Sequence, residues 1–124
     1  MKLTKSVHAF DVLSQFLNEK LPIKTAYKIT KNLISLQTDK DFYEKEFRAI
    51  LQQYLEYDEN GQPIPTPEGG WRVKEGKLDE CQIAIQDLEN IDSEVLPIKF
   101  TIEELETLNL TPNEVYSITD FIED

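Results

Sequence analysis

The chain has 124 residues and a formal net charge of −11, and 40% of its residues are hydrophobic. This length and apolar content suffice for one hydrophobic core, which excludes a disordered chain and predicts a single domain. No run approaches the roughly eighteen apolar residues of a membrane span, and a mixed sequence follows Met1, so we expect a cytoplasmic protein that does not bind membranes. Cys81 is the only cysteine, which excludes an internal disulfide and favours a buried thiol.

The charge is divided unevenly along the chain. Residues 1–57 carry nine Lys or Arg and seven Asp or Glu, a net charge of +2, whereas residues 58–124 carry four and seventeen, a net charge of −13. A surface this negative repels nucleic acid and anionic lipid, so direct nucleic-acid binding is not expected. It favours a protein partner with a basic surface, unless the acidity only keeps the protein in solution.

Three amphipathic helices are predicted in the first 57 residues. Apolar residues recur there at intervals of three and four, and the last helix shows them over two heptads, as is typical of antiparallel packing within one domain. A capping residue or a proline marks the helix boundaries. The predicted helices are Ser6–Leu21, Ile23 to about Leu36, and a third that is capped by Thr38 or Asp39 and reaches about Tyr57.

The second of these helices has two distinct faces. Apolar residues, among them Ile23, Tyr27 and Ile34, are predicted to pack inward. Lys24, Lys28 and Lys31 share another face at helical spacing and form a basic stripe.

A proline- and glycine-rich stretch over residues 58–76 is predicted to connect the helical unit to the rest of the chain. Pro63, Pro65 and Pro67 forbid a helix and favour extended backbone. Residues 71–74 alternate apolar and basic side chains, which predicts a short strand. This strand could pair with a second one over residues 95–100 to form a two-stranded sheet.

Residues 77–124 are predicted to form an acidic part with several short helices. Leu78 to Leu88 carry helical periodicity, with acidic residues in the first turn, where the helix dipole favours them. Two capping boxes follow, from Thr101 to Glu104 and from Thr111 to Glu114. Each indicates the start of a short helix.

None of the patterns of common catalytic or cofactor sites is present in the sequence. One histidine, His8, and one cysteine cannot supply a structural zinc site, and His8 beside Asp11 assembles no catalytic triad. The pair Gly69-Gly70 does not precede a helix, as a phosphate-binding loop requires. We therefore expect no enzyme activity, no metal and no cofactor.

Two candidate partner-binding surfaces remain. Trp71 with Arg72 would make an interface anchor if the indole is exposed, although burial is the commoner fate of a lone tryptophan in a small protein. The second candidate is an acidic C-terminal face. Its residues are Glu103, Glu104, Glu106, Asp120, Glu123 and Asp124.

The order of several short segments resembles a family of functionally uncharacterised proteins of tailed phages and prophages of low-GC bacteria. The resemblance covers most of the chain and implies a phage accessory protein, without implying any site residue. The segments are Met1-Lys-Leu-Thr, Leu21-Pro-Ile-Lys-Thr-Ala-Tyr-Lys, Tyr57-Asp-Glu-Asn-Gly-Gln, Trp71-Arg-Val-Lys-Glu-Gly, Glu94-Val-Leu-Pro-Ile-Lys with Leu105, and Thr111-Pro-Asn-Glu.

Together these features predict an α+β fold, predominantly α-helical. A three-helix unit would be followed by a small two-stranded sheet and short C-terminal helices. The predicted function is a non-catalytic protein–protein interaction module, as an accessory or structural-assembly protein of a phage or prophage acting in the host cytoplasm. The alternative is an acidic mimic of DNA that inhibits a nucleic-acid-binding protein of the host or its defences.

Overall fold

Helices dominate the computed structural model of the chain, which describes residues 1–123. Within this range no helix is both long enough and apolar enough to cross a lipid bilayer. Extended backbone occurs there only as isolated bridges, so the prediction of an α+β fold with a two-stranded sheet is wrong. The helices are α1 (Leu3–Ser14), α2 (Ile23–Tyr54), α3 (Leu78–Glu89), α4 (Ile102–Glu106), α5 (Pro112–Ser117) and a 3₁₀ helix (Thr119–Phe121).

Helix α1 begins and ends earlier than the sequence pattern predicts. The Leu3 N–H donates to the Ile91 carbonyl over 2.7 Å, which ties the start of the helix to the chain after α3. The helix ends at Ser14 and is followed by turns, so Leu17 lies outside it. Its buried face runs along the whole helix, from Leu3 to Leu13.

Helix α2 runs without a break through the position where two separate helices were predicted. No glycine or proline lies between Ile23 and Tyr54, so nothing in the backbone enforces a stop at Thr38 or Asp39. The Asp39 side chain does not cap a helix. It accepts hydrogen bonds from Ser6 Oγ at 2.6 Å and Ser93 Oγ at 2.5 Å, which join α1 and the chain after α3 to the middle of α2.

The hydrophobic core lies between α1, the first half of α2 and the last quarter of the chain. Phe100, Ile118 and Phe121 are fully buried in it. The Phe100 N–H donates to the Phe121 carbonyl and the Glu123 N–H donates to the Phe100 carbonyl, which locks the chain end into the core. The buried members are Ala9, Val12, Leu13, Ile29, Leu33, Leu36, Phe100, Leu108, Ile118 and Phe121.

The second half of α2 packs against α3. The rings of Tyr43 and Phe47 stack with centroids 5.7 Å apart on the partly buried face of α2. On α3, Cys81 and Leu88 are buried, as the helical pattern and the lone cysteine predict. This part of the molecule has few fully buried residues.

A buried asparagine holds the segment between α3 and α4 against α2. Asn32 is 1% exposed, its Nδ2 donates to the Ile98 carbonyl, and its Oδ1 accepts from the Ile98 N–H, both over 2.9 Å. The amide thereby satisfies both backbone groups of Ile98, as a neighbouring strand would do. The predicted pairing of residues 95–100 with residues 71–74 is absent, because Ile98 bonds to Asn32, Phe100 pairs with the chain at Ile122, and residues 71–74 bond to residues 54–65.

Replacement of this asparagine is expected to destabilise the fold strongly. Asn32→Ala would leave the partly buried backbone groups of Ile98 without partners, at a cost of about 2 kcal/mol in the free energy of unfolding. Urea denaturation monitored by circular dichroism measures this cost. Ser35→Ala is the matched control, since Ser35 is exposed on the same helix and should change stability by less than about 0.5 kcal/mol. Equal losses in the two variants would contradict this role for Asn32.

Candidate partner-binding surfaces

Three short extended segments at the end of α2 form a closed ring of backbone hydrogen bonds. The Glu56 N–H donates to the Arg72 carbonyl, the Arg72 N–H to the Ile64 carbonyl, and the Ile64 N–H to the Glu56 carbonyl, over 2.8 to 3.1 Å. Each segment therefore bonds to both of the others, whereas only the central strand of a flat three-stranded sheet does so. We call residues 55–74 the three-segment ring.

The sequence favours this ring at its turns and at its prolines. Gly61 and Gly69 adopt positive φ angles of 76° and 88° in the two turns that reverse the chain. Asp58 Oδ1 accepts hydrogen bonds from the N–H groups of Asn60 and Gln62 in the first turn. Pro63 and Pro65 have no backbone N–H, and they flank Ile64, whose N–H donates within the ring. Residues without a backbone donor therefore alternate with the residue that donates.

Trp71 lies on the outside of the three-segment ring and is 52% exposed. The expectation that this lone tryptophan is buried is therefore wrong. The segments are too short to enclose an indole, and Trp71 forms its bridge with Pro65, which is itself exposed. The residue that points inward from the ring is Leu55, which is 3% exposed.

Arg72 lies beside Trp71 and is oriented by the opposite segment of the ring. Its Nε is 3.4 Å from Glu56 Oε2, and its side chain is more than half exposed. An exposed pair of this kind adds little stability. It leaves the guanidinium accessible to a partner.

The structure does not gather the predicted acidic residues into one face. Glu104 pairs with Lys28 at 2.7 Å, and Asp120 Oδ2 lies 3.8 Å from Lys5 Nζ. Glu103 lies beside the Glu104–Lys28 pair, around a pocket that also contains Lys24. The remaining predicted members are Glu106 and Glu123, which are exposed, and Asp124, which lies outside the described residues.

The Glu104–Lys28 pair joins α4 to α2 and is mostly buried. Lys28 Nζ donates to Glu104 Oε1 and also to the Lys99 carbonyl at 2.8 Å. The same Glu104 oxygen accepts from the Thr101 N–H in a complete capping box, as predicted, and the box from Thr111 to Glu114 is also complete. The hydrogen bond from Lys28, reinforced by the one from Thr101, holds the pKa of the Glu104 carboxyl below its ordinary value of 4.5.

The residues that sequence patterns assign to nucleophilic or metal chemistry lie apart. His8 is exposed on α1 and Cys81 is buried on α3. Among residues 1–123, no three His, Cys, Asp or Glu side chains are grouped closely enough to hold a metal ion.

One surface was missed by the sequence analysis. Ile23, Tyr27 and Ile34 on α2 were predicted to pack inward, but they are 82%, 60% and 64% exposed. The inward face of this helix is made instead by residues such as Ile29 and Leu36. The first half of α2 carries two apolar stripes, which is more apolar surface than one buried face accommodates. This surplus of apolar residues is the signal that could have revealed the exposed surface.

Comparisons with protein-family models, curated proteins and solved structures found no match to this chain.

The lowered pKa of Glu104 predicts a loss of stability in acid. The pKa is lower in the folded than in the unfolded chain, so the carboxylate contributes stability that is fully present above pH 4.5 and is lost as the pH falls through the folded pKa. Urea titrations between pH 7 and pH 3 should show a steeper loss for the wild type than for Glu104→Gln. Glu103→Gln, a change at an exposed neighbour, should follow the wild type; parallel profiles for wild type and Glu104→Gln would contradict the assignment.

Proposed function

We propose that the protein is a protein-binding module whose partner contacts the three-segment ring at Trp71 and Arg72. Following the resemblance to phage and prophage proteins, we further propose that it acts as an accessory or structural-assembly protein of a phage in the host cytoplasm. The observation that carries the proposal is the 52% exposure of the only tryptophan, on a segment fixed by backbone hydrogen bonds.

The chemistry of the surface supports this function. Tryptophan and arginine are the residue types most enriched among the energetically dominant positions of protein interfaces, because they combine large apolar area with directional polar groups. The ring and its turns hold Trp71 in place before binding. A partner would therefore order little additional backbone, which lowers the entropic cost of association.

Inhibition by mimicry of DNA is supported less well. A mimic needs free carboxylates in a row along one face. Lys28 neutralises Glu104, and Lys5 lies near Asp120, so two of the six predicted acidic residues already have cationic neighbours within the protein. The acidity of residues 58–124 then serves chiefly to keep the protein soluble.

The test is affinity capture from the native host with three versions of the protein, followed by quantitative mass spectrometry. Trp71→Ala should lose at least one partner that the wild type captures. The same partner, once purified, should bind the variant about 30-fold more weakly, as for loss of a dominant interface residue. Leu96→Ala is the control, because Leu96 is also a large exposed side chain, at 86%, and should retain the partner.

Two outcomes would count against the proposal. The first is an identical set of partners for the wild type and Trp71→Ala. The second is a partner that is displaced by DNA, is released steeply by added salt, and is lost from a Glu103→Gln, Glu106→Gln and Glu123→Gln triple variant, since this pattern belongs to a DNA mimic.

A further inference from the structure

An apolar groove runs between the end of α1 and the first half of α2, away from the three-segment ring. It has a volume of about 380 Å³ and is lined by Phe10, Leu17, Thr30, Leu33, Ile34 and Gln37. Tyr27 and Ile23 continue it toward the start of α2, where they border a second depression with Lys24 and Lys28.

The groove presents an unusual amount of apolar surface to solvent. Leu17 is 62% exposed, and the three α2 residues Ile23, Tyr27 and Ile34 are exposed to at least 60%. These three lie on one line of the helix, because their separations of four and seven residues match the heptad spacing of a helix–helix contact. Contiguous exposed apolar surface of this kind marks binding sites on soluble proteins.

Positive charge lies along this groove in a protein that is otherwise strongly negative. Residues 17–34 contain four lysines and one glutamate. Glu104 neutralises Lys28, but Lys20, Lys24 and Lys31 are exposed and form no ion pair with any described residue. Residues 24 and 31 are seven apart, so both flank the apolar line on the same side.

We infer that the groove is a second docking surface, which binds an acidic amphipathic helix of a partner protein. Apolar side chains of that helix, three and four residues apart, fill the groove beside Tyr27 and Ile34. Carboxylates along one edge of the helix face Lys24 and Lys31. The span from Ile23 to Ile34 is about 16 Å, which three turns of a partner helix cover.

Charge also decides against a second copy as the occupant. Two copies that meet through this groove would each bring a net charge of −11, and the self-repulsion opposes association. In such a dimer, the lysines of each copy would lie against helix α2 of the other copy, which carries the same lysines. An acidic helix offsets this repulsion locally, since its carboxylates meet the exposed side chains of Lys24 and Lys31.

The experiment uses a displayed library of random peptides of about 18 residues, long enough for roughly five helical turns. Selection on the wild-type protein should enrich sequences with apolar residues at three- and four-residue spacing and with Asp or Glu beside them. The most enriched peptide is then synthesised, and its affinity is measured by fluorescence anisotropy. Raising the salt concentration should weaken its binding, because the ion pairs with the lysines are exposed.

Four variants locate the site. Ile34→Asp should weaken binding about tenfold or more, and so should the combined Lys24→Glu and Lys31→Glu variant. Leu96→Asp, the same change at an exposed apolar residue outside the groove, should bind like the wild type. Trp71→Ala should also bind like the wild type, which separates this inference from the proposed function of the three-segment ring. Thermal unfolding confirms that each variant folds.

Several results would overturn the inference. They are the recovery of no binding peptide, the recovery of peptides without acidic bias, and equal binding to the wild type and Ile34→Asp. Sedimentation equilibrium provides a further test. A wild-type dimer that Ile34→Asp dissociates would assign the groove to a second copy of the chain.

Discussion

The uninterrupted helix α2 is the element on which the rest of the structure depends. A helix of 32 residues is about 48 Å long, far more than a domain of this size needs to form one core. Its first half packs against α1 and the chain end, its second half packs against α3, and its last residue leads into the three-segment ring. The continuity of one helix thus fixes the relative positions of parts that share few direct contacts.

Side-chain hydrogen bonds attach the non-helical chain to α2 where a sheet would otherwise do so. Asn32 satisfies both backbone groups of Ile98, and Asp39 accepts two serine hydroxyls from different parts of the chain. Lys28 adds a third point of attachment at Glu104. All three residues lie on α2, which explains how so little backbone pairing suffices to hold the last third of the chain in place.

Sequence patterns predicted the features that depend on neighbouring residues and missed those that depend on distant ones. The two capping boxes and helix α3 are local and were correct. The prediction of a helix break at Asp39 was wrong. Asp39 has capping propensity, but its carboxylate accepts hydrogen bonds from Ser6 and Ser93 instead of capping a helix. Likewise, periodicity alone does not show which of the two apolar stripes on α2 is buried, since this depends on contacts with α1 and with the last quarter of the chain. The exposure of Trp71 follows from a ring closure that no pairwise strand pattern predicts.

The two proposed surfaces lie near opposite ends of α2, and this separation has an energetic consequence. Ile34 and Tyr54 are twenty residues apart, about 30 Å along the helix, which is about three times the Debye length of 10 Å at 0.1 M salt. Charge on a partner at one surface is therefore screened from the other. As proposed, binding at the groove would use lysines and respond to salt, whereas binding at the Trp71 surface would use chiefly apolar contact and respond little. If both proposed surfaces bind partners, their electrostatic contributions to the two binding free energies would add, because screening separates the charges.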